Sequence, residues 1–199
     1  METDMSDFAQ APLMVGDVVP KTIKFQVFHK GEIRDTTIAS FRGKWLVLFF
    51  YPGDFTFVCP TELGELAGKY DAFQKEGVEI VSMSTDTVFS HKMWHETSPV
   101  VKTVLFPMGS DHRHVFVTLF GVYCEEDGLA YRASVVVDPN GVVRAMEVHD
   151  NSIGRSAAEL LRKVKAAKYV QEHSGKVCPA SWQEGDATLT PGTDLVGKI

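Results

Sequence analysis

The sequence predicts an α/β fold in which a central, mixed β-sheet is flanked by helices. Residues 45–51 (WLVLFFY) and 78–83 (VEIVSM) are short apolar runs, the pattern of strands buried on both faces. Between them, apolar residues recur at helical spacing over 63–75, and Gly77 is a typical helix stop. Strand, helix and strand in this order imply a parallel βαβ unit with a right-handed crossover.

The remaining predicted elements are further strands and helices. Strands are predicted at 21–28, 33–38, 104–108, 133–137 and 142–148. Helices are predicted at 90–96, 112–120 and 156–172. The first two strands form an N-terminal hairpin around the turn at 29–32, and the turn 138–141 (DPNG) joins the last two.

The character of the chain changes after His173. Residues 174–199 contain scattered Gly, Pro, Ser and Thr among single apolar residues such as Trp182, without a helical or strand period. We therefore expect one domain over 1–173 and a C-terminal arm over 174–199.

Composition excludes several classes of function. The chain has 199 residues, 44% of them hydrophobic, a net charge of −6 and a pI near 5.6. Nucleic-acid binding needs a basic face, so we expect no nucleic-acid partner. No apolar stretch is long enough to span a membrane. Residues 1–12 are acidic and polar, unlike a secretory signal, and we expect a cytoplasmic protein.

The three cysteines, Cys59, Cys124 and Cys178, do not form a recognisable framework. An odd count without a CxxC pair or zinc-site spacing does not predict structural disulfides or a metal centre. Cys124 precedes three acidic residues, which would raise the pKa of its thiol, so we interpret it as a bystander.

Cys59 has the most informative surroundings. The turn at 52–54 ends the first buried strand, and Pro60 is typical of a first helical turn. Cys59 is therefore predicted at a helix N-terminus beyond the carboxyl end of a central strand, where α/β sheets bind ligands. A mostly ionised thiol needs about 3 kcal/mol of stabilisation, whereas a helix N-terminus contributes about 0.3–1 kcal/mol and at best about 2. A nearby cation is therefore required.

Two neighbours of Cys59 bear on that requirement. The hydroxyl of Thr56 lies close enough in sequence to turn back toward the sulfur. A carboxylate beside a thiolate would repel it, so Glu62 is expected to point away and hold the cation. Seven arginines are available, and the residues alone do not choose among them. Arg132 is attractive because it begins a predicted core strand. A reactive thiol and a buried structural thiol both remain open at this point.

Two separated motifs resemble those of a known family. Pro52-x-x-x-Thr56-x-x-Cys59 matches the active-site pattern of the peroxiredoxins, and 49–62 resembles their catalytic segment throughout. Residues 175–180 (GKVCPA) resemble the resolving-cysteine segment of the two-cysteine type. The ending, 195–199 (LVGKI), is similar to the alkyl hydroperoxide reductase C-subunit branch.

The resemblance implies a thioredoxin-like fold and the reduction of hydroperoxides. Cys59 takes the peroxidatic role and is oxidised to a sulfenic acid. Thr56 and Arg132 match the residues that hold the thiolate and polarise the peroxide. Pro52 matches the residue that shields the pocket, and Glu62 matches a position that orients arginine.

The resemblance also implies an assembly. Cys178 matches the resolving cysteine, which in this family forms a disulfide with the other subunit, so a homodimer is required and a decameric ring is typical. Because a disulfide needs Cα atoms roughly 4.4–6.8 Å apart, the first helical turn at Cys59 is expected to unwind before the bond forms.

The expected electron source is another protein. The chain contains no GxGxxG motif or phosphate loop, so no flavin or nicotinamide cofactor is expected. A thioredoxin-like protein or a flavoprotein disulfide reductase would then regenerate the enzyme.

Two other functions and one metal site were weighed. A thioredoxin-class oxidoreductase is disfavoured by the missing CxxC. A ring-forming chaperone or a peroxide-sensing partner would use Cys59 as a switch. His91 and His95 have metal-binding spacing but lack the glutamate of HExxH, and we interpret them as a solvated helix face.

Overall fold

The protein is described here from a computed structural model, which covers residues 11–198. Nine strands follow in chain order: β1 Lys24–His29, β2 Glu32–Thr37, β3 Trp45–Phe50, β4 Val78–Ser84, β5 Met108–Ser110, β6 Tyr123–Cys124, β7 Leu129–Ala130, β8 Arg132–Val137 and β9 Val143–His149. Seven of them form one sheet in the order β2-β1-β5-β4-β3-β8-β9, and β6 and β7 form a separate ribbon. The predicted mixed sheet is confirmed.

Strand β3 lies inside the sheet because its sequence is apolar on both faces. Every residue of β3 is buried. It pairs in parallel with β4, placing Leu48 opposite Val81, and antiparallel with β8, placing Leu48 opposite Val135. The parallel unit predicted from the two apolar runs is therefore confirmed, and its carboxyl end leads directly into the loop before Cys59.

Residues 11–198 contain five α-helices: α1 Cys59–Gly68, α2 Tyr70–Lys75, α3 Val88–Thr97, α4 Val115–Leu119 and α5 Ala157–Glu172. The single helix predicted at 63–75 begins earlier and is broken at Lys69, whose φ and ψ are −107° and 2°. Gly64 and Gly68 weaken helix propensity before this break. Helix α3 is capped by Thr87, whose side chain accepts from the backbone of Ser90.

The strand predicted at 104–108 lies later in the sequence. The strand is β5, Met108–Ser110, which pairs in parallel with β4 and antiparallel with β1. The β1–β2 hairpin is thereby joined to the central sheet. The helix predicted over 112–120 is also shorter, because the carboxylate of Asp111 accepts from the backbone of Phe116 and Val117 at the start of α4.

A hydrophobic cluster lies behind the site-bearing strands. Its members come from β1, β3, β4, β8 and α4 and include Val27, Leu48, Phe50, Val81, Phe116 and Val135. The rings of Phe25 and Phe116 meet edge to face with centroids 5.0 Å apart. This packing holds the carboxyl ends of β3 and β4 and the start of β8 in fixed positions.

The chain divides into two compact units, one extending to Ala157 and the other starting at Ala158. Within the second unit, Val177 and Leu189 pair across an isolated bridge, and Trp182 is buried. The segment predicted to be an irregular arm therefore has local structure of its own. The domain boundary after His173 stays a prediction. No helix within residues 11–198 combines the length and apolar character needed to cross a membrane.

Candidate active site

Cys59 is the first residue of helix α1, as its proline neighbour predicted. Its side chain is fully buried. The residue before it, Val58, has helical backbone angles and offers no side-chain cap. The first turn is held instead by the Thr61 hydroxyl, which donates to the Val58 carbonyl at 2.7 Å. The sulfur thus lies at a helix N-terminus that lacks a polar side-chain cap.

Arg132 is the cation beside Cys59. It is the first residue of β8, and the pairing of β8 with β3 brings its guanidinium to the loop that carries the cysteine. Its Nη1 lies 3.3 Å from Cys59 Sγ and 2.7 Å from Glu62 Oε2, and its Nε donates to the Asn151 carbonyl at 2.8 Å. Burial lowers the pKa of Arg132, but the hydrogen bond to Cys59 and the charges of Cys59 and Glu62 outweigh it and raise the pKa.

The carboxylate of Glu62 binds two arginines. Besides Arg132, it accepts from Arg155, whose backbone N and Nε lie 2.8 and 2.9 Å from Oε1 and whose Nη2 lies 3.1 Å from Oε2. Burial raises the pKa of Glu62, but the hydrogen bonds and charge of Arg155, helped by Arg132, lower it overall. Glu62 therefore holds the cation that the sequence required, but it binds two arginines where one was expected.

Arg155 was not identified from the sequence. Its Nη1 donates to the Ala133 carbonyl at 2.6 Å and to Ser134 Oγ at 3.2 Å, and its guanidinium lies 3.5 Å from the centroid of the Phe49 ring. Burial lowers the pKa of this guanidinium. Arg155 follows Gly154 in a polar turn, where its sequence resembles that of an exposed arginine, so no local signal could have distinguished it.

The loop before Cys59 contains the other two predicted residues. Pro52 is buried at the end of β3. The Thr56 hydroxyl donates to the Gly53 carbonyl at 2.8 Å and, among the residues described, makes no hydrogen bond to Cys59. The suggestion that this hydroxyl turns back onto the sulfur is therefore wrong for this state. Because its one proton is engaged with Gly53, the Thr56 oxygen is free only to accept.

A buried polar network around Asp54 holds the same loop in place. The Tyr51 hydroxyl donates to Asp54 Oδ1, and His91 Nδ1 lies against Asp54 Oδ2, both at 2.8 Å. The other ring nitrogen of His91 bonds the Gly109 carbonyl at 3.1 Å, and Asp86 accepts from the backbone of Asp54 at 2.8 Å. Burial raises the pKa of Tyr51 well above its usual value. The loop is thus fixed to α3 and β5 before it reaches Cys59.

The interpretation of His91 and His95 as a solvated helix face is wrong. His91 is fully buried, and His95 bonds the Val104 carbonyl at 3.1 Å. The helical pattern was misleading because polar side chains buried under a loop look like surface residues in sequence. Within residues 11–198, no group of three or more His, Cys, Asp or Glu side chains is arranged to hold a metal ion.

The other two cysteines have different surroundings, and all three are free. Cys124 lies on the β6–β7 ribbon, where its thiol is 3.5 Å from Asp127 Oδ2. Cys178 lies in the second unit, where its thiol donates to the Ala166 carbonyl at a sulfur–oxygen distance of 3.9 Å. Burial raises the pKa of Cys178, and the charge of Arg162 opposes that rise.

Two family models match the chain. The AhpC/TSA family matches residues 15–146, which contain Cys59, Arg132 and their loop. The C-terminal domain of 1-Cys peroxiredoxin matches residues 166–197, which contain Cys178.

Characterised relatives match nearly the whole chain. Alkyl hydroperoxide reductase C of Pseudomonas aeruginosa is 49% identical over 88% of this chain and 94% of its own length. The protein of the same name in Escherichia coli K12 is 50% identical over 90% of this chain and 96% of its own length.

Solved structures of similar fold also match the chain. Enterococcus faecalis AhpC has a TM-score of 0.81 at 38% identity, covering 83% of this chain and 98% of its own. The reduced 2-Cys peroxiredoxin of Plasmodium vivax has a TM-score of 0.86 at 32% identity, covering 92% of this chain and 96% of its own. These neighbours confirm the predicted thioredoxin-like fold. The chain belongs to the AhpC/TSA family, and it is a two-cysteine peroxiredoxin of the alkyl hydroperoxide reductase C type.

Proposed function

We propose that the chain is a thiol peroxidase in which Cys59 reduces hydrogen peroxide and organic hydroperoxides. The observation that carries the proposal is the hydrogen bond from Arg132 to the buried Cys59 sulfur, with Glu62 holding the same guanidinium nitrogen. The thiolate attacks one peroxide oxygen, the O–O bond breaks, and the second oxygen leaves as water or an alcohol after taking a proton. Cys59 is left as a sulfenic acid.

Each neighbouring group has a role in this displacement. Arg132 favours the ionised sulfur and donates to the oxygen on which negative charge develops. Thr56, with its proton engaged by Gly53, accepts a hydrogen bond from a protonated peroxide oxygen. The buried Pro52 keeps water from the thiolate. Glu62 orients the guanidinium of Arg132 without facing the sulfur.

Resolution is proposed to use Cys178 of a partner subunit. Its sulfur attacks the Cys59 sulfenic sulfur, the S–O bond breaks, and the oxygen leaves as water. A fully buried Cys59 does not meet a cysteine of another chain at disulfide distance, so the first turn of α1 has to unwind. The missing side-chain cap at Val58 makes that turn easier to open.

The opening of α1 is testable by hydrogen exchange. We expect the amides of residues 57–64 to lose protection when the reduced enzyme is converted to the disulfide form. The strand β3 amides serve as the internal control, since they should exchange slowly in both forms. Equal protection of 57–64 in the two forms would refute the opening.

The assembly and the reductant follow from the same chemistry. A homodimer supplies both halves of the disulfide, and we propose that such dimers associate into a decameric ring. A thioredoxin-like protein or a flavoprotein disulfide reductase returns the disulfide to two thiols. Three free cysteines suit a reducing compartment, which agrees with a cytoplasmic location.

Stopped-flow peroxide consumption tests the peroxidase activity. Cys59→Ser should abolish the fast loss of peroxide, while the matched control Cys124→Ser should leave it unchanged. Fast consumption that survives in Cys59→Ser would overturn the proposal. Reduction of insulin by the wild-type protein would instead support a general thiol–disulfide oxidoreductase.

Mass spectrometry without reduction tests the disulfide partner. After one equivalent of peroxide, we expect a single Cys59–Cys178 link, and mixed dimers of Cys59→Ser with Cys178→Ser chains should show that it joins two chains. A link through Cys124 would contradict the assignment of Cys178.

A further inference from the structure

The residues around Cys178 form a folded loop. The backbones of Val177 and Leu189 pair before the cysteine, and Trp182 closes a turn after it by donating to the Pro179 carbonyl at 3.2 Å. The indole of Trp182 lies 5.0 Å from the ring of Tyr169 on α5 and donates to the Asp186 carbonyl. The residues before and after Cys178 are therefore both fixed, and they hold the cysteine next to helix α5.

Arg162 of α5 binds the turn that follows the cysteine. Its Nη1 donates to the Trp182 carbonyl at 3.0 Å, while Glu159 accepts from its Nε and Nη2 at 2.7 and 2.8 Å. Ala166, whose carbonyl contacts the Cys178 thiol, lies one helical turn after Arg162 on the same side of the helix. Arg162 and the carbonyl that the thiol contacts therefore lie within about one turn of each other on α5.

The thiol in this position is in its resting form. A carbonyl oxygen accepts hydrogen bonds only, so the contact with Ala166 suits the protonated thiol and offers nothing to the thiolate. The attacking species in disulfide formation is the thiolate. Burial raises the pKa of Cys178, and the positive charge of Arg162 acts against that rise. Burial thus opposes ionisation of the Cys178 thiol, and the charge of Arg162 favours it.

We propose that Arg162 is a positioning residue for the resolving step: it holds the turn after Cys178 and places its guanidinium on the stretch of α5 that the thiol contacts. The positive charge then favours the thiolate over the thiol. This inference rests on the proposed role of Cys178. The Cys178 thiol gives up its proton, the sulfur attacks the Cys59 sulfenic sulfur, and the departing oxygen takes a proton to leave as water. No further oxidant or reductant is needed.

Several other charged groups of the second unit have partners of their own. Glu159 binds Arg162, Lys165 forms an ion pair with Glu184 at 2.7 Å, and Lys176 donates to Thr190 Oγ1. The carboxylate of Asp186 accepts from the backbone of Gln183. Lys165 also lies on α5 and also binds the arm through a charge, so Lys165→Gln is a matched control for loss of one positive charge.

The test measures the ionisation of Cys178 directly. In a Cys59→Ser, Cys124→Ser chain, only Cys178 can be alkylated, and the rate with iodoacetamide is followed from pH 6 to 10. We expect Arg162→Gln to raise the midpoint of this profile by about 0.3–0.7 pH unit, the shift typical of one exposed charge. Arg162→Lys should keep the midpoint, and Lys165→Gln should move it by less than half as much as Arg162→Gln.

Several results would overturn the inference. An unchanged midpoint in Arg162→Gln would contradict it, and so would an equal shift of the midpoint in Lys165→Gln. A lower midpoint in Arg162→Gln would mean that Arg162 acts only by keeping the thiol buried. A purely structural role would change the plateau rate without moving the midpoint. Because no peroxide is involved, this outcome is independent of the peroxidase test, which fails or succeeds on Cys59→Ser alone.

A second measurement follows the chemical step in chains with all three cysteines. After a single addition of peroxide, Arg162→Gln should slow disulfide formation about 2–5-fold at neutral pH, as the expected midpoint shift requires. The consumption of peroxide should keep its wild-type rate. Slower peroxide consumption, or an unchanged rate of disulfide formation, would contradict a role confined to resolution.

Discussion

The surroundings of Cys59 and Cys178 contain the same pair of residue types in two different environments. In each, an arginine neighbours the cysteine and is bound by a glutamate, Arg132 by Glu62 and Arg162 by Glu159. The first pair is 4% and 2% exposed, whereas the second is 26% and 44% exposed. Buried ion pairs cost several kcal/mol when one partner is lost, and exposed pairs contribute about 0–1 kcal/mol.

This difference suits the two chemical tasks. A peroxide must meet a sulfur, a cation and hydrogen-bond groups in fixed positions, and the network of Glu62, Arg132 and Arg155 supplies that rigidity. A resolving thiol must instead leave its resting place to reach its partner. The weaker, partly exposed contacts of Cys178 allow this movement at a small energetic cost.

The largest effect on stability is expected from Arg155→Met. The substitution removes one guanidinium from Glu62 and leaves the carbonyl of Ala133 without its donor. We expect the free energy of unfolding to fall by about 3–5 kcal/mol, as is typical when one member of a buried pair is deleted. Urea denaturation measures it. In the double variant with Glu62→Gln the loss should be smaller than the sum of the single losses, and strict additivity would argue against a coupled network.

The largest effect on catalysis is expected from Arg132→Gln. The variant loses the donor that lies 3.3 Å from the Cys59 sulfur. We expect kcat/KM for peroxide to fall about 10²–10³-fold, the usual cost of removing one positioned donor. Arg34→Gln, on the exposed strand β2, is the control and should keep wild-type kinetics. A loss below tenfold would mean that Arg132 is not the principal cation.

Acid should destabilise the Cys59 site through Glu62. The pKa of Glu62 is lowered in the fold from its ordinary value of 4.5 by the hydrogen bonds and charges that outweigh its burial. The unfolded chain therefore binds the proton more readily, so the stabilisation is complete above about pH 4.5 and is lost as the pH falls through the folded-state pKa. Urea unfolding between pH 7 and 3 should show a decline that is flatter in Glu62→Gln. An identical decline in both proteins would rule out Glu62 as its source.

The smallest effect is expected from Glu159→Gln. The hydrogen bond to Arg162 lowers the pKa of Glu159, but the pair lies largely in solvent. We expect the free energy of unfolding to change by less than about 0.5 kcal/mol, as measured by the same urea titration. High salt should reduce even this difference. If Glu159→Gln lowered the free energy of unfolding as much as Glu62→Gln does, the ion pairs near Cys59 and Cys178 would not differ in strength.

Local patterns predicted the elements but not all of their ends. The apolar run of β3, the β1–β2 hairpin and the periodic helix α5 were each evident from a few neighbouring residues. The position of β5 was missed because it depends on how that segment pairs with β4 and β1. The break at Lys69 was missed because the helical spacing of the apolar residues continues across it. His91 was misread for a related reason, since its partner Asp54 lies on a loop 37 positions away.

The residues around Cys59 were enough to predict that it begins a helix beside a central strand, that its thiolate needs a cation, and that Glu62 holds this cation. These conclusions depend on neighbours within three positions and on the energetics of a single charge. The identity of the cations required the folded chain. Arg132 lies 73 positions from Cys59 and Arg155 lies 93 positions from Glu62, and strand pairing brings them together. A guanidinium has the same chemistry at every arginine, so its burial and its partners, which only the folded chain supplies, distinguish the residues of the site from those of the surface.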